Sequence, residues 1–320
     1  MRSRTFAVVL MLVFIAPVWA VMAFASPESD DAFLGRWDIT ATGSQSGGQR
    51  FCWLELTRDG GVLKGRFNAG GGAVFDLPKV TIENGELSFG YPNGNPPEQT
   101  QQVWKATLKS ARLQGTTLVN GETFSWSGER GPVWPATPPK RKPGKPVDLF
   151  NGKKDVSGWL SQDPSRPMGW FVKDGILMNE GKEANNIYTK QKFQDFKLDV
   201  EFNVDPQSNS GVYLRGRYEI QILDGYDRPM DVHSQGALYG FIVPSAKADK
   251  PAGEWQTYEI TLIANHVTVI LNGTKIIDNG EVPGITGGAL DANEKGLGPI
   301  LLQGDHGKVQ FRKVRLTPLI

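Results

Sequence analysis

The chain is poor in the residues that build disulfide frameworks and metal centres: one cysteine and three histidines in 320 residues. A lone thiol closes no internal disulfide, and Cys52, set between Phe51 and Trp53, reads as a small core residue of a strand. Charge of one sign is also missing. Lys and Arg number 35 against 34 for Asp and Glu, so no overall field draws nucleic acid or an anionic membrane, and a neutral partner is expected. No His-Glu-x-x-His or EF-hand spacing occurs, and the carboxylates Glu219, Asp224, Asp227 and Asp305 follow no ligand pattern, so no required metal is expected. Gly296-Leu297-Gly298 lacks the third glycine and the following helix of a dinucleotide loop, which excludes NAD and leaves no cofactor expected.

What is present is glycine (38), proline (21), tryptophan (9) and phenylalanine (16), the composition of short strands joined by tight turns. At roughly 100 to 200 residues per domain the length fits two domains. Arg2 and Arg4 precede an apolar run from Phe6 to Trp19 and a small-residue site at Ala23-Phe24-Ala25, the pattern of a signal peptide over residues 1–25. Cleavage before Ser26 is expected, giving a periplasmic or secreted protein with no stable membrane insertion. An uncleaved anchor is the rival reading, and no cysteine follows the run for lipid attachment.

From about residue 32 to 134, apolar alternations such as Phe51 to Leu56 and Val80 to Ile82 are separated by turn signals at Asp59-Gly60-Gly61 and Asn84-Gly85. They predict a small antiparallel domain, a barrel or an open sandwich, and Gly35-Arg36-Trp37 resembles the opening of lipocalin-type barrels. Residues 135–146, rich in Pro and Lys, read as a semi-rigid, solvated linker. Beyond it, Phe196, Leu198, Val200 and Phe202 alternate with Lys197, Asp199, Glu201 and Asn203, a period of two with one buried face. Further strands are predicted at 211–215, 218–223, 258–263, 267–272, 300–303 and 309–316, with a hairpin turn at Asn272-Gly273. The fold class expected is all-β throughout.

Residues 147–318 resemble the 3-keto-disaccharide hydrolase family. The likeness rests on Asp148-Leu149-Phe150-Asn151-Gly152, Asn209 to Arg215, Tyr218 to Asp224, Pro251 to Gln256, Val269 to Gly273, Gly298 to Gln303 and Val309 to Arg312. It implies a concanavalin A-like jelly-roll β-sandwich with a sugar groove, and a small carbohydrate substrate oxidised at carbon 3 by a separate sugar 3-dehydrogenase acting upstream.

The residues themselves suit such a groove. Val212, Leu214, Ile220 and Ile222 fit a buried face, while Tyr213, Arg215, Glu219 and Gln221 share the other, mixing an aromatic plate with polar groups for hydroxyls. An ordinary solvated face with an Arg–Glu pair fits the same pattern. Loops add Asp224, His233 and Tyr239, then Gln303, Asp305 and His306. A 3-keto group acidifies the carbon 2 proton, so the implied chemistry needs a base, donors for an enolate oxygen and an acid for the leaving group. Glu219 is the expected base, His233 or His306 the acid, Arg215 and Gln221 the donors. Glu201 and the remaining residues above are candidates for substrate binding. The competing readings are a non-catalytic carbohydrate-binding protein and a retaining glycosidase using Glu201 and Glu219.

Overall fold

A computed structural model describes residues 30–70, 74–92, 101–153 and 155–320. The expected signal peptide lies outside them, and among the described residues no helix is long and apolar enough to cross a membrane.

The first domain consists of β1 (Gly35–Gly43), β2 (Gln49–Asp59), β3 (Val62–Asn68), β4 (Val74–Asp76), β5 (Val80–Glu83), β6 (Glu86–Pro92), β7 (Gln101–Lys109), β8 (Arg112–Val119) and β9 (Glu122–Arg130). They form one antiparallel sheet in the order β4-β3-β2-β1-β9-β8-β7-β6-β5. Its two ends, β4 and β5, are consecutive in sequence. Leu77 N donates to Gly65 O of β3 at 2.8 Å, and the side chains of Leu77 and Val80 close over Gly65, so the sheet curls until its ends approach. The barrel alternative, not the open sandwich, describes this domain. Alternate residues of β9 point inward, and Phe124 and Trp126 join Trp37, Cys52, Leu54, Phe89 and Trp104 in its core.

The second domain comprises β10 (Val147–Phe150), β11 (Trp159–Ser161), β12 (Trp170–Lys173), β13 (Ile176–Asn179), β14 (Ile187–Thr189), β15 (Phe196–Val204) and β16 (Asn209–Leu214). After these come β17 (Tyr218–Leu223), β18 (Gln256–Ile263), β19 (His266–Leu271), β20 (Thr274–Glu281), β21 (Leu301–Leu302) and β22 (Val309–Pro318). One sheet runs β12-β13-β22-β15-β18-β19-β20, with β10 also on β22; the other runs β11-β14-β21-β16-β17. The core between them takes Phe196, Leu198, Val200 and Phe202 from one sheet and Val212, Leu214, Ile220 and Ile222 from the other. Asn272 (φ 49°) and Gly273 (φ 82°) form the expected hairpin turn, whose paired left-handed residues match the strand twist.

Two features depart from the sequence reading. The linker is docked, not solvated: Lys142 N and Ile320 O, Ile320 N and Lys142 O, and Gly144 N and Pro318 O pair at 2.7–2.8 Å, while Arg141 reaches the buried Asp195 at 2.7 Å. Pro143 falls between the two donors, at a position that needs no N–H. Second, Trp53 of β2 faces out of the barrel and into the other domain's core, where its Nε1 donates to Ile285 O at 3.1 Å and its ring stacks on Phe241. The Pro-Lys run and the single-strand pattern carried no sign of either partner.

Candidate active site

The five-stranded sheet buries one face in the core and turns the other toward the loops after β17 and β20. On that outer face Tyr213 and Glu219 are direct partners across the β16–β17 ladder, and Tyr213 Oη donates to Glu219 Oε2 at 2.9 Å. Gln303 Nε2 in turn approaches Tyr213 Oη at 3.5 Å. Gly211 supplies the space: a Cβ there would lie 2.3 Å from Glu219 Oε1 and 2.9 Å from its Cγ and Cδ. Gly211→Ala is therefore expected to displace the carboxyl while leaving the core untouched. A misplacement of that kind costs up to about 10²-fold in turnover. A variant with wild-type turnover and an unchanged melting curve would contradict this role.

Asn209, Tyr213, Glu219, Tyr239, Gln303 and His306 line a cleft of about 260 Å³, closed by the backbone of Gly287, Gly288 and Gly70. Gly288 (φ 76°) packs directly against Tyr213, where a Cβ would sit 2.7 Å from Oη, and its N donates to Gly70 O at 3.2 Å. The first domain thus forms part of the wall. Asn209 Oδ1 and Gln303 Oε1 are buried acceptors with no protein partner among the described residues. A ligand hydroxyl would satisfy either.

Burial dominates the electrostatics of Glu219. Its removal from water pushes the carboxyl up to about 8, against the opposing effects of the Tyr213 hydrogen bond and the His306 charge; Asp305 adds to the rise. His306 Nδ1 meets Asp305 Oδ1 at 2.6 Å, and this hydrogen bond raises the imidazole above its ordinary value, although partial burial and Lys182 work the other way. Burial resists ionisation of Asp305, but the hydrogen bond and charge of His306, helped by Asn186, hold it below the usual carboxylate range. Tyr213 is pushed well above its ordinary value by burial and by Glu219, and so remains a neutral donor.

Of the sequence candidates, Glu219, His306, Tyr213, Tyr239 and Gln303 line this cleft, and Asp305 supports it through His306. His233 stands one layer back, partly exposed, its ring edge-on to Tyr239 at 4.9 Å. Gln221 lies on the face of Glu219 but is buried beside it, outside the lining.

Three candidates lie elsewhere. Arg215 has left the strand: at φ 53° it sits in the β16–β17 turn, donating to Ala264 O, with its guanidinium near the rings of Tyr218 and Trp134. The turn breaks the alternation that placed it beside Glu219. Glu201 is on the outer face of the other sheet, paired with Arg312 at 2.6 Å and Lys313 at 3.7 Å, and the whole core separates it from Glu219. The two cannot flank one glycosidic bond as a retaining pair about 5–5.5 Å apart. Asp224 accepts from Gln207 N at 2.8 Å and fixes a loop. Sequence reasoning missed Asn209, which stands in the Asn209-Ser210-Gly211 motif, and the glycines at 70, 287 and 288, which advertise close backbone approach only once the domains are docked. Among the described residues no group of three or more His, Cys, Asp or Glu is placed to share a metal ion.

The second domain is a two-sheet all-β sandwich that carries a buried carboxyl, a tyrosine and a histidine–aspartate pair in a small polar cleft. Residues 145–317, more than half of the chain, match the model of the 3-keto-alpha-glucoside-1,2-lyase-like domain, and the chain belongs to that family. It is 23% identical over 167 residues to a 3-keto-disaccharide hydrolase of Bacteroides thetaiotaomicron, a match spanning 41% of this chain and 57% of that protein's length. A solved Parabacteroides distasonis protein with a provisional glycosyl hydrolase assignment is 30% identical, with 59% of this chain and 94% of that one covered and a TM-score of 0.47. A Bacillus subtilis carbohydrate-binding module aligns at 11% identity over 49% of this chain and 94% of its own, with a TM-score of 0.36.

Proposed function

We propose that the protein cleaves the glycosidic bond of 3-keto-glucosides or 3-keto-disaccharides by removing the carbon 2 proton and eliminating the group on carbon 1, with or without later addition of water. The observation that carries this reading is the Glu219 carboxyl, buried in a cleft wall beside Tyr213 and held near neutrality in its affinity for protons. Ionised Glu219 takes the proton from carbon 2. The electron pair moves to the carbon 3 ketone as an enolate, which then re-forms the ketone and expels the carbon 1 oxygen. His306, kept protonated by Asp305, gives that oxygen its proton, and the Gln303 amide and Tyr239 hydroxyl replace Arg215 and Gln221 as the donors for the enolate oxygen.

In this reading a sugar 3-dehydrogenase supplies the substrate, and the protein is exported after cleavage before Ser26. Matched normal and 3-keto disaccharides test the function: cleavage of the keto form alone supports it, cleavage of both indicates an ordinary glycosidase, and cleavage of neither a binding protein.

The pH dependence follows. Because Glu219 acts as a base only when ionised and His306 as an acid only when protonated, kcat/KM for the keto substrate is bell-shaped. It rises with pH as Glu219, whose carboxyl is pushed up to about 8, ionises, and falls as His306 loses its proton. A rate that is level from pH 6 to 9 would assign the proton transfer to another group.

A further inference from the structure

Gly70 and Gly288 line not only the Glu219 cleft but also a second cavity of about 420 Å³ at the domain junction. Its other walls come mainly from the barrel. Gln102 and Trp104 of β7 lie on that strand's buried, inward-facing side, Gln49, Arg50 and Phe51 open β2, and Gln162 reaches in from the second domain. Phe51 is partly buried against the second domain's core. The indole N–H of Trp104 has no partner among the described residues, nor has that of Trp126, whose ring lies 5.5 Å away in the barrel core.

We propose that the mouth of the first-domain barrel is the leaving-group subsite, and that it receives a neutral hexose. This rests on the 3-keto-glycoside reading of the adjoining cleft. A keto-sugar ring seated against Glu219 must direct its carbon 1 substituent out of the smaller cleft, and the shared Gly70–Gly288 edge leads into the larger one. Barrel mouths are frequent ligand sites. Three glutamine amides and a guanidinium offer hydroxyl partners, and the aromatic residues Phe51 and Trp104 offer apolar surface to a pyranose. Among the described residues the lining has no carboxylate, so nothing in it selects a cationic aglycone. All the barrel residues involved precede residue 145, outside the matched family domain. The subsite is thus a property of this chain's own architecture, and it gives the first domain a role in choosing the substrate.

The test is the Gln49→Ala/Gln102→Ala double variant assayed on a 3-keto-disaccharide with a glucose leaving group and on methyl 3-keto-glucoside. The expected result is a loss of about tenfold or more in kcat/KM for the disaccharide, as for two lost hydrogen bonds, with the methyl glucoside turned over as by wild type. Equal losses on both substrates, or no loss on either, would overturn the proposal. Calorimetric titration with free glucose reads the subsite without chemistry. If the wild type cleaves neither keto substrate, the catalytic reading fails. Glucose binding that the double variant loses would still support the subsite, whereas binding that is absent or unchanged would remove it.

Discussion

Glu219→Gln lowers turnover of a 3-keto-glucoside by about 10² to 10⁴-fold, the usual contribution of a general base, while substrate binding stays within a few-fold of wild type. The amide keeps the shape of the side chain and still accepts from Tyr213 Oη, so the hydrogen bond to Tyr213 survives and only the proton acceptor is lost. Stability provides an independent reading of the same group. The folded-state affinity of Glu219 for its proton is raised from the ordinary 4.5 to about 8, so its contribution to stability is full below pH 4.5 and is lost as pH rises through about 8. The glutamine variant carries no such ionisation, and its melting temperature falls less than that of wild type between pH 5 and 9. Turnover within about threefold of wild type would remove Glu219 from the base role, being far below the expected contribution.

Trp53→Ala destabilises the whole protein by about 3–5 kcal/mol, the range for emptying a buried tryptophan site. This residue belongs to the barrel by sequence and to the sandwich by packing: it is 1% exposed, lies in the second domain's core and donates to Ile285 O. Truncation leaves a cavity at the junction and an unpaired backbone carbonyl. It also loosens the wall made by Gly70 and Gly288, so activity falls before global unfolding. Urea denaturation followed by fluorescence and by circular dichroism measures the effect. A loss below about 1 kcal/mol would mean that the domains do not depend on this contact.

The second domain was legible because its strands obey the alternation that burial of one face imposes. Phe196 to Phe202 and the Asn272-Gly273 turn stand where the pattern puts them. Tyr213 and Glu219 were visible for the same reason, since period two assigns both to the face opposite Val212 and Ile220. What alternation cannot report is where a strand stops. Arg215 fits the period but stands one residue past the end of β16, in a turn, and Glu201 faces outward from the opposite sheet. Long-range docking was equally hidden. Nothing local to Trp53 distinguishes a barrel-facing tryptophan from one inserted into a neighbouring domain, and the linker's prolines gave no hint that Lys142 and Gly144 pair with the carboxy-terminal strand. The solvated face offered by the pattern is in fact enclosed, and that enclosure gives Glu219 its raised proton affinity.

Substrate carrying deuterium at carbon 2 addresses the central claim most directly. Incubation of a 2-deuterio-3-keto-disaccharide with the wild-type protein in ordinary water, with the released keto-sugar read by mass spectrometry against an enzyme-free control, follows the fate of that one atom. Elimination through Glu219 predicts a product that has lost the label to solvent, whether isolated before or after water adds, and no such loss with Glu219→Gln. A cleaved product that keeps its deuterium at carbon 2 would contradict the account, because the glycosidic bond would then have broken without proton abstraction.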